Sequence, residues 1–147
     1  MRIGRVCNRE VTVAYEDERI DEIAKRMRER HVGSVIVLAR GGRMPAGVIT
    51  DRDIVVEVVA AGLDARSVSV GEVMSRDPVA VREDDDVVDA LRVMRTHGVR
   101  RLPVLSSAGT LAGIVAIDDL LELVAGQVDD LVRAIGREQT REAQVRN

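Results

Sequence analysis

Val32-Gly33-Ser34-Val35-Ile36-Val37-Leu38 returns 67 positions later as Val99-Arg100-Arg101-Leu102-Pro103-Val104-Leu105, and this pair of stretches decides the fold. Each ends in an unbroken apolar run of strand length, too short for a buried helix. The turn signals that follow, Gly41-Gly42-Arg43 and Ser106-Ser107-Ala108-Gly109, lead into return strands at Gly47-Val48-Ile49 and Gly113-Ile114-Val115. Each run therefore opens a hairpin.

Working backwards, both stretches follow a helical pattern. Ile20, Ile23, Ala24 and Met27 fall at i, i+3, i+4 and i+7, and Val87, Ala90, Leu91 and Met94 repeat the spacing. Acidic clusters, Glu16-Asp17-Glu18 and Glu83-Asp84-Asp85-Asp86, precede the helices where a macrodipole favours negative charge. Extended segments over residues 11–14 and 79–81 come first. Working forwards, a second helix is expected from Asp51 to about Ala61, and its counterpart from about Asp118 onward.

The repeat is quantitative. Residues 3–38 align with 70–105 without a gap and share ten identities: Gly4/Gly71, Val6/Val73, Arg9/Arg76, Glu16/Glu83, Asp17/Asp84, Met27/Met94, Arg28/Arg95, Val32/Val99, Val37/Val104 and Leu38/Leu105. Ordinary residue usage gives about two by chance. After a loop one residue shorter in the second copy, Gly47 pairs with Gly113, Asp53 with Asp119 and Val58 with Val124. The expected architecture is α/β (α+β): two β-α-β-β-α units related by a pseudo-two-fold and packed as one compact module. A unit of about 60 residues is marginal alone, so the two should share a core. The expected bounds are 3–61 for unit one, 62–69 for a linker, 70–125 for unit two and 126–147 for a C-terminal helix and polar tail.

Composition narrows the function classes. Tyr15 is the only aromatic among 147 residues, so the core is aliphatic and single-stranded nucleic acid finds no stacking platform. A net charge of −3 argues further against nucleic-acid binding. Cys7 is the only cysteine, which rules out an intrachain disulfide and suits a reducing cytoplasm. The start of the chain lacks a signal-peptide pattern and no stretch approaches a membrane span, so a cytoplasmic protein is expected. His31, His97 and Cys7 form no metal-ligand spacing, and no nucleophile stands with a base. Neither a metal site nor an enzyme is expected.

Three segments carry a family resemblance: residues 73–81 (VMSRDPVAV), 97–104 (HGVRRLPV) and 47–54 (GVITDRDI). Together, in their usual order along the chain and on this repeat, they resemble the hallmark segments of tandem cystathionine-β-synthase (CBS) domains of the stand-alone bacterial type. The resemblance covers residues 3 to about 123. It implies a compact pair of units, disc-shaped homodimers, and adenosine ligands (AMP, ADP, ATP or S-adenosylmethionine) in clefts between the units. No required cofactor is expected.

Thr50-x-x-Asp53 is the sharpest candidate site. The same spacing makes a helix capping box, and the two readings are compatible. The resemblance implies that Asp53 holds a ribose and that Thr50 lies near ribose or phosphate. Asp119 matches Asp53, but Ala116 stands in place of Thr50, so the second cleft is expected to bind more weakly or differently. The family fold sets the opening strand of one unit against the cleft of the other. It thus implies Val48 and Val79 as walls of the Thr50/Asp53 cleft, and Thr12 and Ile114 as walls of the Asp119 cleft. Arg100 and Arg101 are phosphate candidates by guanidinium geometry, or else a solvated basic pair. Gly33 and Ser34 hold their places in unit one.

Beyond Leu123, the residues Val124, Val128, Leu131, Val132 and Ile135 continue at helical spacing. This apolar face is expected to be an oligomer contact or a lid folded back on the chain. The leading expectation is a homodimeric, non-catalytic nucleotide sensor. The alternative is a scaffold with vestigial clefts that acts through a protein partner.

Overall fold

The computed structural model describes residues 1–145, which leaves Arg146 and Asn147 of the expected tail outside the described residues. In chain order, unit one runs β1 (Val13–Tyr15), α1 (Ile20–Arg30), β2 (Ser34–Leu38), β3 (Pro45–Thr50) and α2 (Asp51–Ile54). Helix α2 continues as a π-helical turn, Val55–Val59, in which Ala60 N–H donates to the Val55 carbonyl at 2.8 Å. Next come α3 (Val70–Val73) and β4 (Ser75–Arg76). Unit two follows as β5 (Val81–Arg82), α4 (Val87–His97), β6 (Arg101–Leu105), β7 (Leu111–Ala116) and α5 (Ile117–Val145).

The sheets are ordered β1-β2-β3-β4 and β5-β6-β7. In each, the first strand is parallel to the second, and the hairpin closes antiparallel. The apolar run of β2 is covered on both faces. Val35 and Val37 pack with Ile20, Ile23 and Met27 of α1, whereas Ile36 and Leu38 meet Leu111 and Ile114 of the other sheet. A strand buried on both sides reads as a continuous hydrophobic run, not as an alternation.

The two units exchange their leading segments. Ile3, in a short 3-10 turn over Ile3–Arg5, is fully buried among Val81, Val87, Ala90 and Met94 of unit two. Its repeat counterpart Val70 is fully buried in the core of unit one. The exchange accounts for several of the sequence identities. Gly4 N–H donates to the Glu83 carbonyl and Gly71 N–H to the Glu16 carbonyl, both at 2.9 Å. Arg9 pairs with Glu83 at 2.8 Å, and Arg76 with Glu16 at 2.9 Å.

Three local expectations change for physical reasons. The acidic clusters are only in part helix starts. Asp86 caps α4 through Val88 N–H, while Glu16 and Glu83 reach across to the other unit and Glu18 pairs with Arg26. Burial pushes the Glu18 carboxyl up, but its hydrogen bonds to Arg26 and to the Tyr15 N–H outweigh that and hold it below the usual range. The opening strands begin two residues late, at Val13 and Val81, because the preceding residues serve the other unit. Asn8 bridges Ile114, and Ser75–Arg76 pairs with Gly47 and Val48. The helix from Asp51 ends in its π turn near Val59, short of Ala61.

The exchange requires glycine where the segments cross. A Cβ on Gly47 would stand 2.7 Å from the Ser75 carbonyl oxygen and from Met74 Sδ. One on Gly113 would stand 2.8 Å from the Asn8 carbonyl oxygen and 2.9 Å from Cys7 Sγ. Gly47→Val and Gly113→Val should therefore each cost about 1–3 kcal/mol of stability, the usual toll of overpacking. Urea unfolding measures this, and a midpoint unchanged in either variant would contradict the crossing geometry.

Candidate functional site

A cavity of about 210 Å³ lies between the units on the Asp119 side. Thr12 and Val11 reach it from the segment before β1, Ile114 and Ala116 from β7, Arg101 from β6 and Asp119 from the start of α5. The crossing of leading segments puts Thr12 beside the second unit's hairpin, since Asn8 and Ile114 exchange backbone hydrogen bonds of 2.8 and 2.9 Å. Arg101 comes next to Ala116 as its direct partner in the β6–β7 ladder. Four of the residues expected from sequence, Thr12, Arg101, Ile114 and Asp119, thus meet around one space.

Asp119 is positioned by its backbone. The Ala116 N–H donates to Asp119 Oδ2 at 3.1 Å, which leaves Oδ1 to accept from a ligand. The N–H of Ile117, first residue of the 29-residue helix, donates to the Arg100 carbonyl at 2.9 Å, which ties the start of the helix to the β6 end of the cavity. Arg100 is committed elsewhere: its guanidinium donates to Asp118 Oδ1 at 3.2 Å, in an exposed pair. Arg100 and Arg101, read together from sequence, therefore part in place: Arg101 lines the cavity and Arg100 does not.

Thr50 and Asp53 form a full capping box. Asp53 N–H donates to Thr50 Oγ1 at 3.1 Å, and Thr50 N–H to Asp53 Oδ2 at 2.8 Å. The carboxylate is held in the same way as that of Asp119, again with Oδ1 left over. The β2–β3 ladder puts Ser34 opposite Thr50, as Arg101 stands opposite Ala116. Ser34 nevertheless lines the Asp119 cavity, which therefore carries the hydroxyls of Thr12 and Ser34 as well as the Arg101 guanidinium. Val48 packs in the apolar cluster between the sheets, while Val79 packs against the core of unit two.

Sequence reasoning missed Asn8, Glu10, His31, Val32, Gly33 and Ser34, which also line the cavity. His31 caps the end of α1 with φ 54°, a left-handed turn that ends the helix beside the cleft. The repeat held the signal for Gly33 and Ser34, because they occupy the places of Arg100 and Arg101. Cys7 is no nucleophile candidate: burial pushes its thiol up, and it is packed beneath Gly113. Among the described residues, no group of three or more His, Cys, Asp or Glu side chains could hold a metal ion, and no helix is long and apolar enough to cross a membrane.

The family model of the CBS domain matches twice, at residues 3–60 and 70–126. An uncharacterised protein of Methanopyrus kandleri is 37% identical over 121 residues, covering 82% of this chain and 61% of that protein. Hypoxic response protein 1 of Mycobacterium tuberculosis is 37% identical over 116 residues, covering 78% and 79%. A crystal structure of hypoxic response protein I, with two coordinated zinc ions, superposes with a TM-score of 0.74 at 34% identity, covering 83% of this chain and 98% of that one. A CBS domain protein of Pyrobaculum aerophilum, solved in complex with AMP, gives a TM-score of 0.74 at 28% identity, covering 85% and 99%.

Proposed function

The chain belongs to the CBS domain family, and from that premise we propose that it is a non-catalytic regulatory module binding an adenosine-containing nucleotide between its two units. The observation that carries the proposal is the cavity shared by Thr12, Arg101, Ile114 and Asp119. Asp119 Oδ1 accepts hydrogen bonds from ribose hydroxyls, Thr12, Val11 and Ile114 flank the adenine, and Arg101 faces the phosphates. At about 210 Å³ the space is smaller than a typical ligand pocket of about 300–1,000 Å³. It takes the nucleoside and leaves the phosphates at the mouth.

The AMP bound by the Pyrobaculum aerophilum protein supports this ligand class, with ADP, ATP and S-adenosylmethionine as the other members to test. The Thr50/Asp53 cleft, with Val48 and Val79 as its apolar walls, takes the same class of ligand. The protein works in the cytoplasm as a homodimer and signals because the ligand favours one of two shapes. The exposed apolar stripe of α5 favours a second reading, a scaffold with unused clefts that engages a protein partner.

Calorimetric titration with AMP, ADP, ATP and S-adenosylmethionine separates the two. The sensor reading expects binding tighter than ~1 mM, about 4 kcal/mol, for at least one of the four. Silence from all four at that concentration leaves the scaffold reading in its place.

A further inference from the structure

We infer that α5 pairs antiparallel with α5 of a second copy of this chain, through the stripe Leu121, Val124, Val128, Leu131, Val132 and Ile135. This deepens the homodimer of the proposed function by naming its surface, and it stands or falls independently of nucleotide binding.

The stripe has the form of a helix seam. From Leu121 the steps to Val124, Val128, Leu131 and Ile135 alternate three, four, three, four, the spacing of core positions where two helices wind together. Val132 widens the stripe on one side. The six side chains are between 42% and 67% exposed, and every described residue from Val124 to Val145 is exposed. Leu120 and Leu123 point the other way, into unit two, so the stripe is not spent on the chain's own core. The helix is about 44 Å long at 1.5 Å per residue, and more than half of it, from Val124 onward, is exposed. It also contains Gly126 and Gly136, the least helix-favouring residue type after proline. A helix of this kind is held by packing of its apolar face and not by propensity.

Charge identifies the occupant and its direction. From Ile117 to Asp130 the helix carries Asp118, Asp119, Glu122, Asp129 and Asp130 and no basic residue. From Leu131 to Val145 it carries Arg133, Arg137 and Arg141 against Glu138 and Glu142. Antiparallel pairing lays the acidic half of one copy along the arginine-bearing half of the other. Parallel pairing sets the acidic halves of both copies together at one end. The helix dipoles add to the same preference. An antiparallel seam has its midpoint near Val128, which puts Leu121 of one copy near Ile135 of the other.

Cysteine cross-linking tests this in a Cys7→Ala background, at ~100 µM protein with a short bismaleimide. All three substituted positions are exposed, so the fold is not at stake. Val128→Cys is expected to cross-link with itself in high yield. Leu121→Cys alone is expected not to, because the two copies of that position lie about 20 Å apart along the axis. An equimolar mixture of Leu121→Cys and Ile135→Cys is expected to give the mixed dimer. Efficient self-cross-linking of Leu121→Cys would overturn the antiparallel arrangement. Absence of cross-linking at Val128→Cys, whatever the oligomeric state in solution, would overturn the pairing itself.

Discussion

Ile3→Ala should lower the unfolding free energy by about 2–5 kcal/mol, the range for truncating a fully buried isoleucine. A loss of that size is unusual for the third residue of a chain, where fraying is the rule. The expectation follows from the exchange of leading segments. Ile3 fills a space between α4 and the second sheet, so its truncation leaves a cavity beside Val87 and Met94 rather than a trimmed end. Val70→Ala, at the matching place in unit one, removes less volume and should cost about 2 kcal/mol at 0.8 kcal/mol per buried methylene plus a cavity contribution. Each variant damages the unit it is not contiguous with. Amide exchange should quicken in α4 for Ile3→Ala and in α1 for Val70→Ala. A fragment beginning at residue 70 lacks Ile3 and should fail to fold. Independent folding of that fragment would refute the exchange.

Asp119→Ala should weaken adenine-nucleotide binding roughly a hundredfold. The substitution removes a carboxylate proposed to accept from both ribose hydroxyls, and charge-assisted hydrogen bonds contribute about 1.5–3 kcal/mol each. A combined loss of about 3 kcal/mol corresponds to that factor in affinity. The fold should survive, because the Asp119 carboxylate serves it through the cap on the Ala116 N–H, an interaction of about 1 kcal/mol. Asp119→Asn, which keeps an acceptor for that N–H, serves as the conservative control and should bind better than the alanine variant. Asp53→Ala should abolish only the binding event at the Thr50/Asp53 cleft, and leave the Asp119 site within a few fold of its original affinity. Equal losses in both variants would mean that the clefts act as one site.

The hairpins and first helices are legible from sequence because their signals are local. Ile20, Ile23 and Met27 are buried at the spacing that announces α1, and Val87, Ala90 and Met94 do the same for α4. The pseudo-two-fold is legible because the copies still share identities. The use of those identities is not. Gly4/Gly71, Arg9/Arg76 and Glu16/Glu83 make contacts between the units with partners 55 to 79 positions away in sequence, and periodicity within a segment carries no trace of its distant partner. The clustering of Thr12, Arg101, Ile114 and Asp119 follows from the same crossing. The family resemblance implies Thr12 and Ile114 beside Asp119. Arg101 reads as one of a pair with Arg100, and only the β6–β7 register separates the two. The π turn at Val55–Val59 lies in a run of valines that helical spacing alone does not distinguish from an ordinary helix.

The central claim is that an adenosine ligand sits between the units against Asp119, and a crystal structure grown at saturating AMP tests it most directly. The account predicts density in the cavity bounded by Thr12, Ile114 and Asp119, with the ribose hydroxyls on the Asp119 carboxylate and the phosphate towards Arg101. AMP bound at a surface outside both clefts, or empty clefts at saturation, would contradict it.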